Sequence, residues 1–458
     1  MRVLLWHGYL LSGSGSNVYT ANIARSWREA GHDVLVLCQD RHAGDLAFVD
    51  GTGSFSADNS MIELSETRSS TARGRCVVAR PQIGKILPVY VYDDYEGFEA
   101  KRFVDLSDAE LESYTRSNVA ALVTAIGDFE PNALVTGHEV MGPFIARQAC
   151  EATARRYLAK LHGSALEYAV KLQDRYVQFA SAGLNGAAVV VGGSRYMVDA
   201  AHRVVPGWSS RSAVVNPGCD VDLFKPDPAR RNQRLRIGYV GKLIASKGVH
   251  NLLVALPLIG ADPFDVVVVG YGGFAEGLQH LWDAIRTGDR DRVRAIAQKG
   301  ETGPLDAVTD FVDSGAMTDA YIARAAEIDV SFPGRLEHGP LSHALVDFDV
   351  LVAPSVVPEA FGMVAAEAAA CGVLPVVPDH SGIAEAGAAV EEAIDHPGLL
   401  TFPSADPIAG IAAAVSRVLS LEPEVRASYG ARAVELARSR WSWNHVAARL
   451  LELAHVQS

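Results

Sequence analysis

The N-terminal segment of the chain alternates between apolar runs and a helix in an order that few folds accept. Residues 2–6 form a short apolar run, residues 12–17 form a turn of serine, glycine and asparagine, and residues 18–30 have the spacing of an amphipathic helix. A second apolar run follows at residues 32–38. A strand, a helix and a second strand in this order make a βαβ unit, which requires a parallel sheet. The fold class is therefore predicted to be α/β.

The same alternation starts again in the second half of the chain. Residues 214–226 concentrate proline, glycine and charged residues, as an interdomain joint does. Beyond this joint, apolar runs at 235–240 and 265–269 flank a helical pattern at 249–256. Because 458 residues also exceed the usual size of one core, the sequence predicts two Rossmann-like, doubly wound domains that face each other across a cleft. The predicted domains are 1–222 and 223–435, with a C-terminal helix at 436–458.

Two stretches fit this alternation less well. Residues 41–105 are less regular and include a β-rich piece at 86–92, and we interpret them as an elaboration of the first domain. Residues 276–330 have the pattern of a helical insertion in the second domain, and no role follows from that pattern.

Net charge and cysteine usage exclude several classes of function. The formal net charge of -13 argues against a general nucleic-acid binder, because such proteins need a positive field. The five cysteines are far apart, and their usage is typical of reduced thiols rather than of a disulfide framework or a zinc site. The N-terminus lacks a signal-peptide pattern, and no apolar run reaches the roughly 18 residues of a membrane span. We therefore expect a cytoplasmic protein without a transmembrane segment.

One group of cations leaves peripheral membrane contact open. The four cations predicted to share one helix are Arg147, Arg155, Arg156 and Lys160. Such a group could face an anionic acceptor or a membrane surface, although a solvated helix face is the more common explanation.

A loop carboxylate followed by an alanine-rich helix is the most informative motif. Glu359 lies in the loop, and Glu367 follows in a helix predicted at 364–370. A glutamate in such an apolar helix is costly unless a partner hydrogen-bonds to it. The amides expected at the helix N-terminus, where an anion such as phosphate is favoured, are those of Gly362, Met363 and Val364. The motif predicts a site for a phosphorylated, hydroxyl-rich ligand, and the alternative is that Glu359 merely ends a loop while Glu367 reaches solvent.

The residues that frame this motif indicate a family. The sequence Pro-Glu-Ala-Phe-Gly stands at 358–362, and Ala-Cys-Gly-Val-Leu-Pro-Val-Val stands at 370–377. With the two glutamates between them, these segments resemble the donor-binding signature of retaining glycosyltransferases of family four, which have the GT-B fold. The resemblance covers nearly the whole chain, weakly at 41–105 and 276–330. It implies a nucleotide-sugar donor in the second domain and a terminal helix that crosses back to the first domain.

The resemblance also implies roles for residues on the donor side. Lys242 and Lys247 follow the strand predicted at 235–240, where two cations would neutralise a diphosphate leaving group. The family usually has arginine in place of Lys242, so charge is kept here while bidentate contact is lost. Glu359 is expected to hold sugar hydroxyls, and Glu367 is expected to hold the ribose. The other implied donor-binding residues are Gly15 against the transferring sugar, Gly334, Arg335 and Leu336 in a base-binding loop at 332–336, and Phe361, Gly362, Met363 and Val364 in the motif itself.

Two further segments carry polar residues at predicted strand ends. His162 follows a strand predicted at 157–161 and could be a core histidine, a metal ligand or a pocket group. No second ligand stands at metal spacing, so a metal site is disfavoured. The matching histidine of the family contacts the donor sugar, and we expect the same of His162. His138 and Glu139, which end an earlier predicted strand, are expected to line the acceptor side.

The resemblance implies metal-independent, retaining transfer of a hexosyl unit from a nucleotide-diphosphate sugar to a hydroxyl of a small molecule, a lipid or a saccharide. The residues expected to be catalytic are His162, Lys242, Lys247 and Glu359, and no cofactor is expected beyond the co-substrate. A GT-B epimerase, a phosphorylase and a catalytically silent nucleotide-sugar-binding protein are the alternatives. NAD binding is disfavoured because the glycine turn at 13–15 only half matches a dinucleotide fingerprint.

Overall fold

The chain forms two compact units, each with its own parallel sheet. The computed structural model describes residues 1–66, 73–91, 95, 97–227, 234–261 and 263–455. The first unit comprises Met1–Pro217 and Trp443–Ser458, and the second unit comprises Gly218–Ser442. The joint between the two units thus falls within the segment rich in proline and glycine, a few residues before the predicted boundary at 222.

The first unit contains a nine-stranded sheet and a separate two-stranded sheet. Its strands are β1 (Arg2–Trp6), β2 (Asp33–Leu37), β3 (Gly51–Phe55), β4 (Ile62–Glu66), β5 (Cys76–Arg80), β6 (Ile86–Val89), β7 (Glu99–Arg102), β8 (Ala133–Gly137), β9 (Leu158–Lys160), β10 (Val189–Gly192) and β11 (Ser212–Val214). Its first five helices are α1 (Gly15–Glu29), α2 (Asp108–Phe129), α3 (Gly142–Thr153), α4 (Asp174–Gly186) and α5 (Arg195–Val204).

The strand order of the large sheet confirms the doubly wound fold predicted for this unit. The order is β11-β10-β9-β8-β1-β2-β5-β3-β4, and every neighbouring pair is parallel except β3 and β4. The chain runs outward from β1 in both directions, so a switch point lies between β1 and β8. The predicted β-rich piece at 86–92 corresponds to β6, which pairs with β7, and residue 92 lies outside the described residues.

The second unit has a six-stranded parallel sheet. Its strands are β12 (Leu235–Val240), β13 (Phe264–Val269), β14 (Asp329–Gly334), β15 (Val350–Val352), β16 (Leu374–Pro378) and β17 (Thr401–Phe402). Its helices are α6 (Val249–Ala255), α7 (Ala275–Thr287), α8 (Arg290–Lys299), α9 (Asp306–Asp313), α10 (Asp319–Glu327), α11 (His338–Val346), α12 (Met363–Ala370), α13 (Ser381–Ile394), α14 (Pro407–Leu419) and α15 (Pro423–Arg440). The strand order β14-β13-β12-β15-β16-β17 is that of a Rossmann fold, with its switch point between β12 and β15.

The predicted helical insertion consists of α7 to α10, which connect β13 to β14. Leu278, Trp282, Val293 and Val308 are each at most 3% exposed and belong to the core of the second unit. The insertion therefore forms part of this core and is not a surface loop.

The last helix, α16 (Trp443–His455), belongs to the first unit, as the fold prediction required. It packs on α1, where the indole nitrogen of Trp27 donates to the carbonyl oxygen of Ala447 at 2.9 Å. The predicted start of this segment at 436 is wrong, because α15 continues to Arg440 and Trp441 is fully buried in the core of the second unit. Residues 456–458 of the predicted helix lie outside the described residues.

The prediction that four cations share one helix is wrong. Helix α3 ends at Thr153, so Arg155 and Arg156 lie beyond it, and Lys160 is in β9 with only 2% of its surface exposed. Arg147 is on α3 and pairs with Glu151 at 2.7 Å. The four cations therefore do not form one helix face. Within the described ranges, no helix combines the length and the apolar character that crossing a bilayer requires.

Candidate active site

The switch point of the second sheet brings two predicted site residues into contact. Lys247 follows β12, Glu359 follows β15, and the Nζ atom of Lys247 lies 2.8 Å from Oε1 of Glu359. The side chains are 30% and 19% exposed, so the pair is partly shielded from water but remains accessible. The amide of Glu359 donates to Oγ of Ser381 at 3.0 Å, and its carbonyl oxygen accepts from the amide of Gly382 at 2.9 Å. These two bonds fix the carboxylate loop against the start of α13.

A glycine allows the two loops to approach each other closely. Gly248 ends the 3-10 turn Ala245–Lys247 with φ of 71°, and a Cβ atom at this position would lie 1.9 Å from the carbonyl oxygen of Pro354. The amide of Val356 donates to the carbonyl oxygen of Ser246 at 3.0 Å, which joins the same two loops. Only glycine has both the backbone freedom and the small size needed here.

Replacing Gly248 with alanine is therefore expected to destabilise the second unit by on the order of 3 kcal/mol, from left-handed backbone strain plus a clash with main chain. Differential scanning calorimetry would measure this as a lowered Tm. Gly315→Ala is the matched control, because Gly315 has φ of 78° but no atom within 4 Å of its Cβ position. Equal decreases in Tm for the two variants would show that the clash with the carbonyl oxygen of Pro354 does not add to the destabilisation.

The N-terminus of α12 presents backbone amides beside this loop. Gly362 has φ of 87° and caps the helix, and its Cβ position lies 2.7 Å from Cγ1 of Ile383, so glycine is required. The amides of Met363 and Val364 have no hydrogen-bond acceptor among the described residues, and the first turn contains no acidic side chain. Unpaired amides and the helix dipole make this end of the helix favourable for an anion.

Glu367 lies one turn further along α12, on the same face as Met363. Its carboxyl group has no hydrogen-bond partner in the described part of the chain. The side chain is only partly exposed, and the loss of hydration around its carboxyl group raises the pKa of Glu367 to about 7. A carboxyl group with this pKa and no protein partner is suited to hydrogen bonds with ligand hydroxyls.

The remaining donor-side residues occupy different environments. Lys242 is exposed, and its carbonyl oxygen accepts from the hydroxyl of Tyr239 at 2.8 Å, so the main chain is held while the side chain extends into solvent. The Phe361 side chain is 2% exposed and packs against Trp441 at 5.6 Å between ring centroids. Any donor contact of Phe361 must therefore come from its main chain.

The expected base-binding loop at 332–336 is only partly a loop. Phe332 to Gly334 lie in β14, where Gly334 pairs with Val269, and the loop begins at Arg335. The guanidinium of Arg335 is 5.2 Å from the ring centre of Tyr271 and pairs with Glu337 at 3.1 Å. Leu336 is half-buried beside them.

The first unit brings the other predicted residues together at the carboxyl ends of its strands. His138 and Glu139 follow β8, and His162 follows β9. The rings of His138 and His162 are 4.9 Å apart, and the amide of Gly163 donates to Oε1 of Glu139 at 2.7 Å. Gly15 is the exposed first residue of α1, and the Ser14 side chain caps that helix by accepting from the amide of Asn17.

Several members of this cluster were not predicted. His7 follows β1 and lies 5.7 Å from His138, with its Nε2 atom 2.9 Å from Oδ1 of Asn17. Tyr19 is 5.2 Å from His162, and the Nζ atom of Lys160 lies 5.1 Å over the Tyr19 ring. A polar residue directly after or inside a buried strand is the sequence signal that could have identified His7 and Lys160.

Burial controls protonation in this cluster. It lowers the pKa of His7 to about 4 and lowers the pKa of His138 and His162 well below the usual range, so these rings are neutral at pH 7. It also raises the pKa of Glu139 to about 6 and lowers the pKa of Lys160 to about 7. Both ring nitrogens of His138 and Oε2 of Glu139 are buried without a partner among the described residues. His138 is 1% exposed and Glu139 is 0% exposed, so these atoms are closed off from solvent in this arrangement of the chain.

Comparisons with protein families agree with this geometry. The family model described as "Glycosyl transferase 4-like domain" matches residues 14–218, and the model "Glycosyl transferases group 1" matches residues 314–435. The chain belongs to glycosyltransferase family four and has the GT-B fold. The match in the first unit of this family-four chain contains His138, Glu139 and His162, and the match in the second unit contains the Glu359–Glu367 motif.

Curated relatives of the family-four chain come from Mycobacterium tuberculosis. Two sequences named "GDP-mannose-dependent alpha-(1-6)-phosphatidylinositol monomannoside mannosyltransferase", from strains CDC 1551 and H37Rv, are each 29% identical over 248 residues. The match covers 52% of this chain and 54% of each relative. The chain thus spans about half the length of the curated relatives it matches.

Solved structures resemble the family-four chain over its length. Sucrose-phosphate synthase from Thermosynechococcus elongatus has a TM-score of 0.60 at 17% identity, covering 99% of this chain and 98% of that one. Anabaena HepE in complex with UDP and glucose has a TM-score of 0.58 at 17% identity, covering 98% of both chains. At these identities the similarity establishes the fold.

Proposed function

We propose that this protein is a retaining glycosyltransferase that transfers a hexosyl unit from a nucleotide-diphosphate sugar to a hydroxyl acceptor. The observation that carries the proposal is the contact of Lys247 with Glu359 in the loops at the switch point of the second sheet, next to the α12 N-terminus. A cation, a carboxylate and unpaired amides together match the phosphates and hydroxyls of such a donor.

The donor roles follow from the chemistry of each group. The diphosphate would lie against Lys242, Lys247 and the amides of Met363 and Val364, which are positive or hydrogen-bond donors. Glu359 would accept hydrogen bonds from hydroxyls of the sugar. Glu367 would accept them from the ribose, and the residues that would surround the base are Gly334, Arg335 and Leu336.

Catalysis would come mainly from stabilising the leaving group. The bond between the anomeric carbon and the diphosphate oxygen breaks, and negative charge develops on that oxygen beside Lys247 and the helix N-terminus. The acceptor oxygen bonds to the anomeric carbon on the same face of the sugar, and the departing phosphate takes the acceptor proton. His162, which is partly exposed and neutral, would hold hydroxyls of the sugar, whereas the buried His138 and Glu139 would act through their contacts with His162 and the amide of Gly163.

The protein groups supply the positive charge, so we propose that transfer needs no divalent metal ion. Addition of EDTA is expected to leave kcat within about twofold of its original value, because Lys242, Lys247 and the helix dipole act on the diphosphate directly. The measurement is the initial rate before and after chelation, with Mg²⁺ added back as the control. A rate that collapses with EDTA and returns with Mg²⁺ would refute metal independence.

A donor panel tests the transfer itself. The panel includes GDP-mannose, the donor named for the mycobacterial relatives, and UDP-glucose, which is bound in one HepE structure. ADP-glucose extends the choice of base. Nucleotide release is measured with and without lipid, polyol and saccharide acceptors.

Release that requires an acceptor would support transfer, and no release with any donor would favour a silent nucleotide-sugar-binding protein. The anomeric proton of the first product, followed by NMR, gives its configuration. An inverted product would contradict retention.

A further inference from the structure

A chain of hydrogen bonds connects the two loops at the switch point of the second sheet to the start of α13. The Oγ atom of Ser355 donates to the carbonyl oxygen of Ser246 at 3.3 Å, and the carbonyl oxygen of Ser355 lies 3.1 Å from Nε2 of His380. The Nδ1 atom of His380 lies 3.1 Å from Oγ of Ser381, which accepts from the amide of Glu359 at 3.0 Å. The chain therefore begins in the 3-10 turn after β12 and ends at the carboxylate loop after β15.

The partners of His380 fix the direction of the bonds that its ring makes. A carbonyl oxygen can only accept, so Nε2 of the ring carries the hydrogen that the Ser355 carbonyl accepts. The other nitrogen of a neutral imidazole is an acceptor, so Nδ1 accepts from the hydroxyl of Ser381. The oxygen of that hydroxyl is then the acceptor for the amide of Glu359. The imidazole therefore orients the hydroxyl so that a lone pair faces this amide.

Ser381 has a backbone conformation that favours glycine. Its φ is 60°, in the left-handed region, which is unfavourable for a residue with a Cβ atom. Residues in such conformations persist where their surroundings hold them, and they concentrate at functional sites. The side chain of Ser381 makes its hydrogen bonds to His380 and to the amide of Glu359, so the strained residue is coupled directly to the carboxylate loop.

We propose that His380 and Ser381 are positioning residues that hold the carboxylate of Glu359 in the geometry that sugar transfer needs. This inference deepens the proposed function and rests on it, because Glu359 is the residue expected to bind sugar hydroxyls. Nζ of Lys247 contacts the carboxylate of Glu359 at 2.8 Å, whereas Ser381 and Gly382 hold its main chain. Loosening the main chain would displace the carboxylate, and a displacement of about 1 Å can lower a rate on the order of a hundredfold.

Ser381→Gly separates positioning from folding. Glycine adopts φ of 60° without strain, so the variant should keep its Tm while it loses the hydroxyl. We expect kcat to fall about tenfold and the KM for the donor to stay within about twofold, because the groups that bind the diphosphate and the ribose are unchanged. His380→Ala should have the same effect on kcat. His380→Gln keeps one donor and one acceptor and should recover part of the rate.

Amide hydrogen exchange tests the positioning without substrate. In the full chain, the amide of Glu359 should exchange about tenfold faster in Ser381→Gly and in His380→Ala than in the wild type. His396→Ala is the matched control, because Nδ1 of His396 also lies 3.1 Å from a hydroxyl, that of Tyr429, beyond the opposite end of α13. This control should change neither the exchange of the Glu359 amide nor kcat.

The two measurements separate this inference from the proposed function. A wild-type protein that transfers no sugar would refute the proposed function, and the exchange rates would still show whether the two residues hold the loop. Unchanged exchange of the Glu359 amide in folded Ser381→Gly and His380→Ala would overturn the inference, as would full kcat in both. Glu359→Gln combined with His380→Ala should be no slower than Glu359→Gln alone, since the ring acts through that carboxylate. Losses that multiply would contradict the inference.

Discussion

Lys247→Ala is expected to lower kcat/KM by on the order of a hundredfold, or about 2.7 kcal/mol of transition-state stabilisation. Nζ of Lys247 lies 2.8 Å from Glu359 beside the unpaired amides of α12, where the proposed leaving diphosphate would develop its charge. Cations placed in advance at such a position act more strongly on the transition state than on the bound donor. The loss should therefore appear mainly in kcat, measured as nucleotide release at saturating donor.

The change must be separated from a general loss of structure. Removing Lys247 also leaves the Glu359 carboxylate without its ion-pair partner, so the Tm of the variant is measured alongside the rate. Lys299→Ala removes an exposed lysine from the end of α8 and should leave both kcat and Tm unchanged. Lys247→Arg keeps the charge and should recover part of the rate. A folded Lys247→Ala protein with full activity would remove this residue from the mechanism.

The sequence was sufficient to predict the elements that carry strong local signals. Strands β1 and β12 have the predicted bounds, because each is an apolar run between clear breaks. Strand β14 was missed because it lies at the sheet edge, alternates in exposure and contains Pro333, so its sequence is similar to that of a loop. The start of α16 was misplaced because both sides of the junction at Trp443 are helical.

The residues of the candidate site also divide into those that local sequence predicts and those whose contacts depend on the strand order. Glu359, Glu367 and Lys247 could be found because short motifs surround them and the family resemblance assigns them roles. The contact of Lys247 with Glu359 depends on β12 and β15 being neighbours, which follows from the strand order and not from local sequence. The same is true of His7, whose contacts with His138 exist because β1 pairs with β8. A single sequence contains no direct signal for such neighbours.

Glu367→Gln is expected to stabilise the second unit at pH 8 while weakening donor binding. Burial raises the pKa of Glu367 to about 7 in the folded protein, from an ordinary value of 4.5. Between these values the folded state binds the proton that the unfolded state has lost, so stability falls as pH rises from about 4.5 to about 7 and is constant above. The full cost above pH 7 is on the order of 3 kcal/mol, and a neutral glutamine avoids it.

Calorimetry at pH 5.5 and pH 8 measures the first effect, and donor titration measures the second. The variant should gain several degrees in Tm at pH 8 and less at pH 5.5, whereas Glu435→Gln, at an exposed position on α15, should change neither value. Donor affinity should fall at least tenfold, because the ionised carboxylate that we propose to accept hydrogen bonds from ribose hydroxyls is replaced by a weaker neutral acceptor. An unchanged donor affinity would place the ribose elsewhere, even if the gain in Tm is observed. Both effects together would mean that the unpaired carboxylate of Glu367 costs stability and is retained because it binds the donor.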